Sequence, residues 1–374
     1  MATWWFLIFS APVLMKLSEK YGQEYRIDNV NYSRNNKIFF FCSCFLLIFF
    51  AGLRSTTGAG VLSIGDTRVY NSLFQIQVKN NIIEYLRFTD FSGDWGFYAL
   101  LTIFKQFLGV NEQGLFFICS LITIGLLFLR YYSLDLKDMW LLIFLFIALG
   151  SYVSTMNGVR QWFASSILFF SFPLIRKKKW LIYFLIVIVM STIHNSSIIF
   201  IFIYFIADKP AWGKTTKFMV GIILLLFITY PITGNVISEF LQESSYSQYS
   251  DTILISGEGS NIIRVAVYVL PIVVAYIYRD NMSKEKYYNI IINLSILDML
   301  FMILALTNWI YARICIFLDP FILIVYIWDI KYAISTDSQK LIKIFGVILG
   351  LIYFWYQMYI GYGGQIYTSH ILGI

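Results

Sequence analysis

WLIYFLIVIVMSTIHNSSIIFIFIYFIA, residues 180–207, is the stretch on which the fold turns. It runs for 28 residues without a Lys, Arg, Asp or Glu, enough at ~1.5 Å rise per helical residue to cross a ~30 Å hydrocarbon core once with some tilt. As one crossing, it would separate Lys209, Lys214 and Lys217 from Arg176, Lys177, Lys178 and Lys179, against the tendency of basic loops to stay cytoplasmic. Folded at His194-Asn195-Ser196, it keeps both basic loops on one side. The acidic loop 238–261, with Glu239, Glu243, Asp251 and Glu258 and no Lys or Arg, then lies on the other. Charge therefore favours a broken helical hairpin near His194. Its limbs are too short to span comfortably, so the junction lies below the outer surface, where irregular backbone is tolerated only inside protein or beside a wet cavity.

The rest of the chain agrees with a membrane solvent. Of 374 residues, 59% are hydrophobic and 13% charged, against roughly 25% charged in soluble proteins, and mean hydropathy is +0.71. An ordinary soluble enzyme is excluded. Apolar runs lie at about 2–15, 38–53, 112–129, 139–154, 160–175, 180–193, 196–207, 218–237, 262–278, 287–307, 312–328 and 343–360. The expectation is an all-α, polytopic integral membrane protein of about twelve transmembrane helices, one transmembrane domain over 1–374. Both termini then lie outside, with larger outer loops at 54–111 and 238–261 and an amphipathic helix near 95–108. Of the 28 Lys and Arg, twenty fall in inner loops and eight outside. Topology thus accounts for the net charge of +7 without a nucleic-acid partner. Cys42, Cys44, Cys119 and Cys315 lie in apolar runs and read as inert thiols, and His194 and His370 are too few for a histidine metal site. Residues 2–15 precede any basic residue, unlike a secretory signal.

Chemistry is sought among the outer charges. Arg54 ends an outward-running helix, where a cation complements the dipole and needs no further reason. Arg160, Arg264 and Arg313 stand near the first turn of inward-running helices, where the dipole disfavours a cation by ~0.3–1 kcal/mol unless an anion is present. Asn157, Asn261 and Asn308 precede them as expected N-caps, so each place combines free N–H groups with a guanidinium, which suits phosphate. Snorkelling or a loop carboxylate is the plainer explanation for any one of them. A lone histidine is usually a satisfied donor, but His194 sits at the required break and suits proton transfer. Asp66 is the other acid–base candidate, with turn capping or pairing to Arg68 as its plainer role. Asp298 and Asp319 lie inside expected helices, where acids are functional hypotheses by default. Nucleotide-binding, zinc-helix and serine-elbow motifs are absent from the sequence.

Several strings together carry a likeness: Gly52-Leu53-Arg54, Gly65-Asp66-Thr67 with Tyr70, Asn157-Gly158-Val159-Arg160-Gln161 with Ala164, His194-Asn195-Ser196, and Tyr311-Ala312-Arg313. In order and spacing the chain resembles the EpsG-like branch of the Wzy-type polysaccharide polymerases. The resemblance implies a multi-pass bacterial inner-membrane glycosyltransferase with its active site toward the periplasm. It would join undecaprenyl-pyrophosphate-linked oligosaccharide repeats into O-antigen or capsule. It further implies a glycan donor and acceptor on that lipid, surrounding membrane lipids, a chain-length regulator as partner, and neither cofactor nor metal. Arg54, Asp66, Arg160, His194 and Arg313 match the family pattern; Arg264 comes from helix direction alone. The expected assignment is Arg160, Arg313, Arg264 and Arg54 on pyrophosphate and His194 or Asp66 as base, with Asn157, Gln161, Asn195, Tyr70 and Tyr311 in support. A lipid-linked oligosaccharide flippase or transporter, and an O-antigen ligase, are the rival readings.

Overall fold

The structure is a computed structural model that describes residues 1–27, 30–242 and 259–374. It is helical, with one short antiparallel hairpin among the described residues, β1 (Gln23–Ile27) and β2 (Val30–Arg34). Helix covers most of each of the twelve expected apolar runs, two of which are bent within the run. Among the described residues only Glu112–Ser133 and Asp337–Gly361 are by themselves long and apolar enough to cross a membrane, or up to four spans if two bent pairs count as one each. Twelve crossings therefore do not follow from helix length. The expected outer loop 238–261 lies largely outside the described residues.

The chain forms two compact units. The first comprises 1–170, 188–197 and 336–374; the second comprises 171–187 and 198–335. In the first, α1 (Ala2–Lys20) packs on α2 (Lys37–Gly52), which packs on α6 (Glu112–Ser133), and α1 also meets α7 (Met139–Ala148). Between α2 and α6 the outer loop holds three helices, α3 (Thr67–Gln77), α4 (Ile82–Phe88) and the expected amphipathic α5 (Trp95–Leu108). Asn36 and Asn111 start α2 and α6 by accepting their orphan N–H groups, at 3.0 Å from Ile38 and 2.9 Å from Gly114. The core is aromatic: Phe128 meets Phe146 edge-to-face at 5.4 Å, and Phe146 meets Trp162 at 6.5 Å.

The run 139–154 is a broken helix. At Gly150 (φ +87) the chain turns by 55° from α7 into α8 (Ser151–Asn157). The Leu149 carbonyl exposed by the break accepts from Gln357 Nε2 at 3.1 Å, and a Cβ at position 150 would lie 2.2 Å from Gln357 Oε1. Then α9 (Val159–Ser171) begins.

In the second unit, a turn of helix, α10 (Pro173–Arg176), leads to the decisive stretch. There α11 (Trp180–Ile193) ends, a 3₁₀ turn covers Asn195–Ile199, and α12 (Phe200–Ala207) follows. Rings of the two limbs meet pairwise, Phe184 with Tyr204 at 5.1 Å and with Phe205 at 6.0 Å, and Lys178 pairs with Asp208 at 3.0 Å. Partners equidistant from His194 mean that the limbs run antiparallel. The α-helices that follow among the described residues of this unit are α13 (Lys214–Gln242), α14 (Ile262–Ile277), the short α15 (Arg279–Met282), α16 (Tyr288–Leu304), the short α17 (Ala312–Cys315) and α18 (Asp319–Ala333). Almost uniformly apolar, α16 is buried by α13, α14 and α18. The run 312–328 is bent by 72° between α17 and α18. Asp319 therefore begins a helix rather than sitting inside one, and accepts from Tyr268 at 2.7 Å. In the first unit, α19 (Thr336–Tyr356) runs on into a π-helical turn over Gln357–Gly361.

Candidate active site

The first turn of α5 and the hairpin apex make the site. Asp94 stands at the N-cap of α5, yet its side chain does not cap that helix. Its Oδ1 accepts the backbone N–H of Asn195 at 2.9 Å, while Oδ2 lies 3.0 Å from Arg160 Nη1 and 3.4 Å from His194 Nδ1. Gly96 permits this approach, since a Cβ there would fall 2.0 Å from Thr192 Oγ1. The apex presents its N–H because α11 stops at Ile193, and Ser197 N–H closes back on the His194 carbonyl at 2.9 Å.

Arg160, the second residue of α9, is held from several directions. Nη1 reaches Tyr98 Oη at 3.4 Å, the backbone N–H reaches Tyr70 Oη at 3.5 Å, and the guanidinium lies 5.5 Å from the Tyr70 ring centre. Its Nε is buried without a hydrogen-bond partner among the described residues. The side chains of Arg160, His194 and Asp94 stay 26, 18 and 14% exposed, so the cluster opens to one side. Burial opposes ionisation of Asp94, but His194, the Arg160 charge and the Asn195 N–H outweigh it and hold the carboxyl below its usual range. An open apolar groove of about 430 Å³ starts beside the cluster, lined by Trp95, Ala99, Ile103, Phe163, Ile167 and Met190 among others.

The loop around Asp66 is fastened to the same end of α8. Asn157 Oδ1 accepts the backbone N–H of Asp66 at 3.0 Å, and Gly65, at φ +51, leaves no room for a Cβ against Asn157. The Asp66 carboxylate itself is exposed. Arg54 is 1% exposed and spent on protein: Nε donates to Thr67 Oγ1 at 2.8 Å, Nη2 to the Met156 carbonyl at 3.3 Å, and Nη1 to the Ala51 carbonyl. It closes the ends of α2 and α8 together. Among the described residues no three His, Cys, Asp or Glu side chains gather closely enough to hold a metal ion.

With this geometry in view, a family model described as EpsG family matches residues 37–368. The chain belongs to the EpsG family. In general terms, membership gives this membrane protein a glycosyltransferase-like, polysaccharide polymerase-like role. No curated protein and no solved structure matches it.

Of the residues expected at the site of this EpsG-family chain, Arg160, His194, Asn195 and Tyr70 come together, and Gln161 is buried beside Arg160 in sequence. Arg264, Arg313 and Tyr311 belong to the second unit. There Asn261 caps α14 as expected, accepting from Ile263 N–H at 2.8 Å, with Arg264 three residues beyond Asn261. Arg313 differs from expectation: it lies in the four-residue α17, too short for an appreciable dipole, with its guanidinium 5.4 Å from the Trp309 ring centre. Asn157 also differs, because it ends α8 instead of capping α9, and its side chain serves the Asp66 loop. Asp94 and Tyr98 were missed. Ser92-Gly93-Asp94-Trp95 reads as an ordinary helix start, and nothing local separates Asp94 from nearby Asp90.

Proposed function

We propose that this protein polymerises polysaccharide by joining undecaprenyl-pyrophosphate-linked oligosaccharide repeats into O-antigen or capsule, from about twelve spans of the bacterial inner membrane and at its periplasmic face. One observation carries the reading: an arginine and a histidine converge on a single carboxylate at a break in an apolar helical hairpin. In the transfer, an acceptor hydroxyl oxygen bonds to the anomeric carbon, and the bond from that carbon to the pyrophosphate oxygen breaks. The electron pair leaves with pyrophosphate, and the hydroxyl proton passes to a base. Arg160 suits the departing anion and His194 the proton; Arg313 and Arg264 are further candidates for the anion, with Asp66 as an alternative base. The neighbouring apolar groove suits a hydrocarbon chain attached to that anion. The pyrophosphate is already an activated leaving group, so no nucleotide is consumed.

Deleting the gene and separating the lipid-linked or lipopolysaccharide glycans on a gel tests the class. Single repeats without a ladder are expected. Complete absence of attached repeats points instead to a ligase, which shares the donor, or to a flippase. Asp298, buried inside α16, is the feature that favours a transporter. Complementation with Arg160→Lys is expected to reduce chain extension by roughly 10-fold or more, because an ammonium cannot reproduce the guanidinium fork. His194→Ala should abolish the ladder at normal protein level; a normal ladder removes His194 from the chemistry.

A further inference from the structure

We propose that Asp94 is the positioning residue of this site, holding His194 in the tautomer that carries its proton on Nδ1 and so making Nε2 the nitrogen that accepts the proton in the reaction. The inference rests on reading His194 as the proton-transferring group, but its geometry does not depend on the substrate.

An ionised carboxylate only accepts hydrogen bonds. Asp94 Oδ2 lies 3.4 Å from Nδ1 of His194, so that nitrogen must be the donor, since two acceptors would repel at this separation. The carboxylate cannot turn away, because Oδ1 is fixed at 2.9 Å by the N–H of Asn195, the residue joined to His194. One peptide thereby sets both the ring and the group that orients it. From the other side Arg160 Nη1, at 3.0 Å, fixes Oδ2. The groups facing Asp94 on the packed elements are thus Arg160 and His194, with Tyr98 and Tyr70 behind Arg160. The approach requires Gly96, since any side chain there collides with Thr192. Asp94 touches no reacting atom in this scheme. It acts through the imidazole, and it keeps the guanidinium aligned before the anion arrives.

The chain has two histidines, which makes a direct test practical. His370 lies elsewhere, 2.9 Å from Thr57 Oγ1, and a His370→Gln background leaves His194 as the one imidazole. Nitrogen NMR of histidine-labelled full-length protein in nanodiscs, at alkaline pH where imidazole is neutral, reads the tautomer. The expected result is a single Nδ1–H species in that background and retention of it in Arg160→Gln, which removes the neighbouring charge but not the hydrogen bond. Asp94→Asn should lose that species and Asp94→Glu restore it in part. In a repeat-transfer assay Asp94→Asn should lower kcat roughly 100-fold with KM little changed. An Nε2–H tautomer in the parent protein overturns the proposal, as does an unaltered tautomer in Asp94→Asn. Should Asp94→Asn fail to fold, the parent and Asp94→Glu spectra still decide. A normal ladder from His194→Ala alongside the expected tautomer would instead remove the base assignment and leave the Asp94 geometry standing.

Discussion

Arg54 and Arg160 show how differently two outer arginines can be used. Arg54 gives its donors to helix-end carbonyls and a threonine and lies over the Phe116 ring at 4.3 Å. Arg54→Ala leaves buried acceptors unpaired, each costing ~1–3 kcal/mol, so a clear fall in melting temperature in detergent is expected, whatever happens to transfer. Arg160 keeps a buried Nε without a partner among the described residues and stands beside a histidine. Asp94 gives the residue-scale pH dependence. Its folded carboxyl titrates below the unfolded one, so its stabilisation is complete above the ordinary value of ~3.9 and lost as pH falls through the folded value. The part of the stability difference between the parent and Asp94→Asn that comes from the ionised carboxylate should therefore be lost as pH falls below about 4. A difference that stays undiminished in stronger acid, measured by thermal unfolding, would contradict that assignment.

At the scale of elements, broken helices matter more than whole ones. The breaks at Gly150, at His194 and between Cys315 and Asp319 place backbone ends and polar side chains within otherwise apolar segments. The His194 break was legible in the sequence because loop charges on either side demanded it. The bend before Asp319 was not, since no Gly or Pro lies among residues 313–319 and Pro320 stands in the first turn of the next helix, where proline is well tolerated. The seam between α5 and α11 depends on one missing side chain. Gly96→Ala would drive a methyl into Thr192 and push Asp94 away from Asn195. The expected outcome is a large loss of chain extension with a modest change in melting temperature, read by the ladder and by thermal unfolding of the same preparation. Equal ladders from Gly96→Ala and the parent would show that the seam tolerates displacement.

At the scale of the whole molecule, reporters test the expected topology. Fusions within 208–217 should read cytoplasmic and fusions within 54–111 should read external; an external reading at 208–217 would sink the hairpin topology. Composition and hydrophobic runs by themselves determined the helical class, where the apolar runs lie and the break at His194, because apolar surface and loop charge are properties of the chain whatever its folding. The family likeness was legible in short strings for a similar reason, as the matching residues are close neighbours along the chain. The partnership of Asp94 with His194 and Arg160 was decided only by tertiary structure. These residues lie 66 or more positions from Asp94 along the chain, and only the folded approach of α5 to the hairpin apex gives the carboxylate its donors. Arg54 was settled the same way: a helix-end cation looks alike in sequence whether it meets solvent, a phosphate or two carbonyl ends, and burial alone tells them apart.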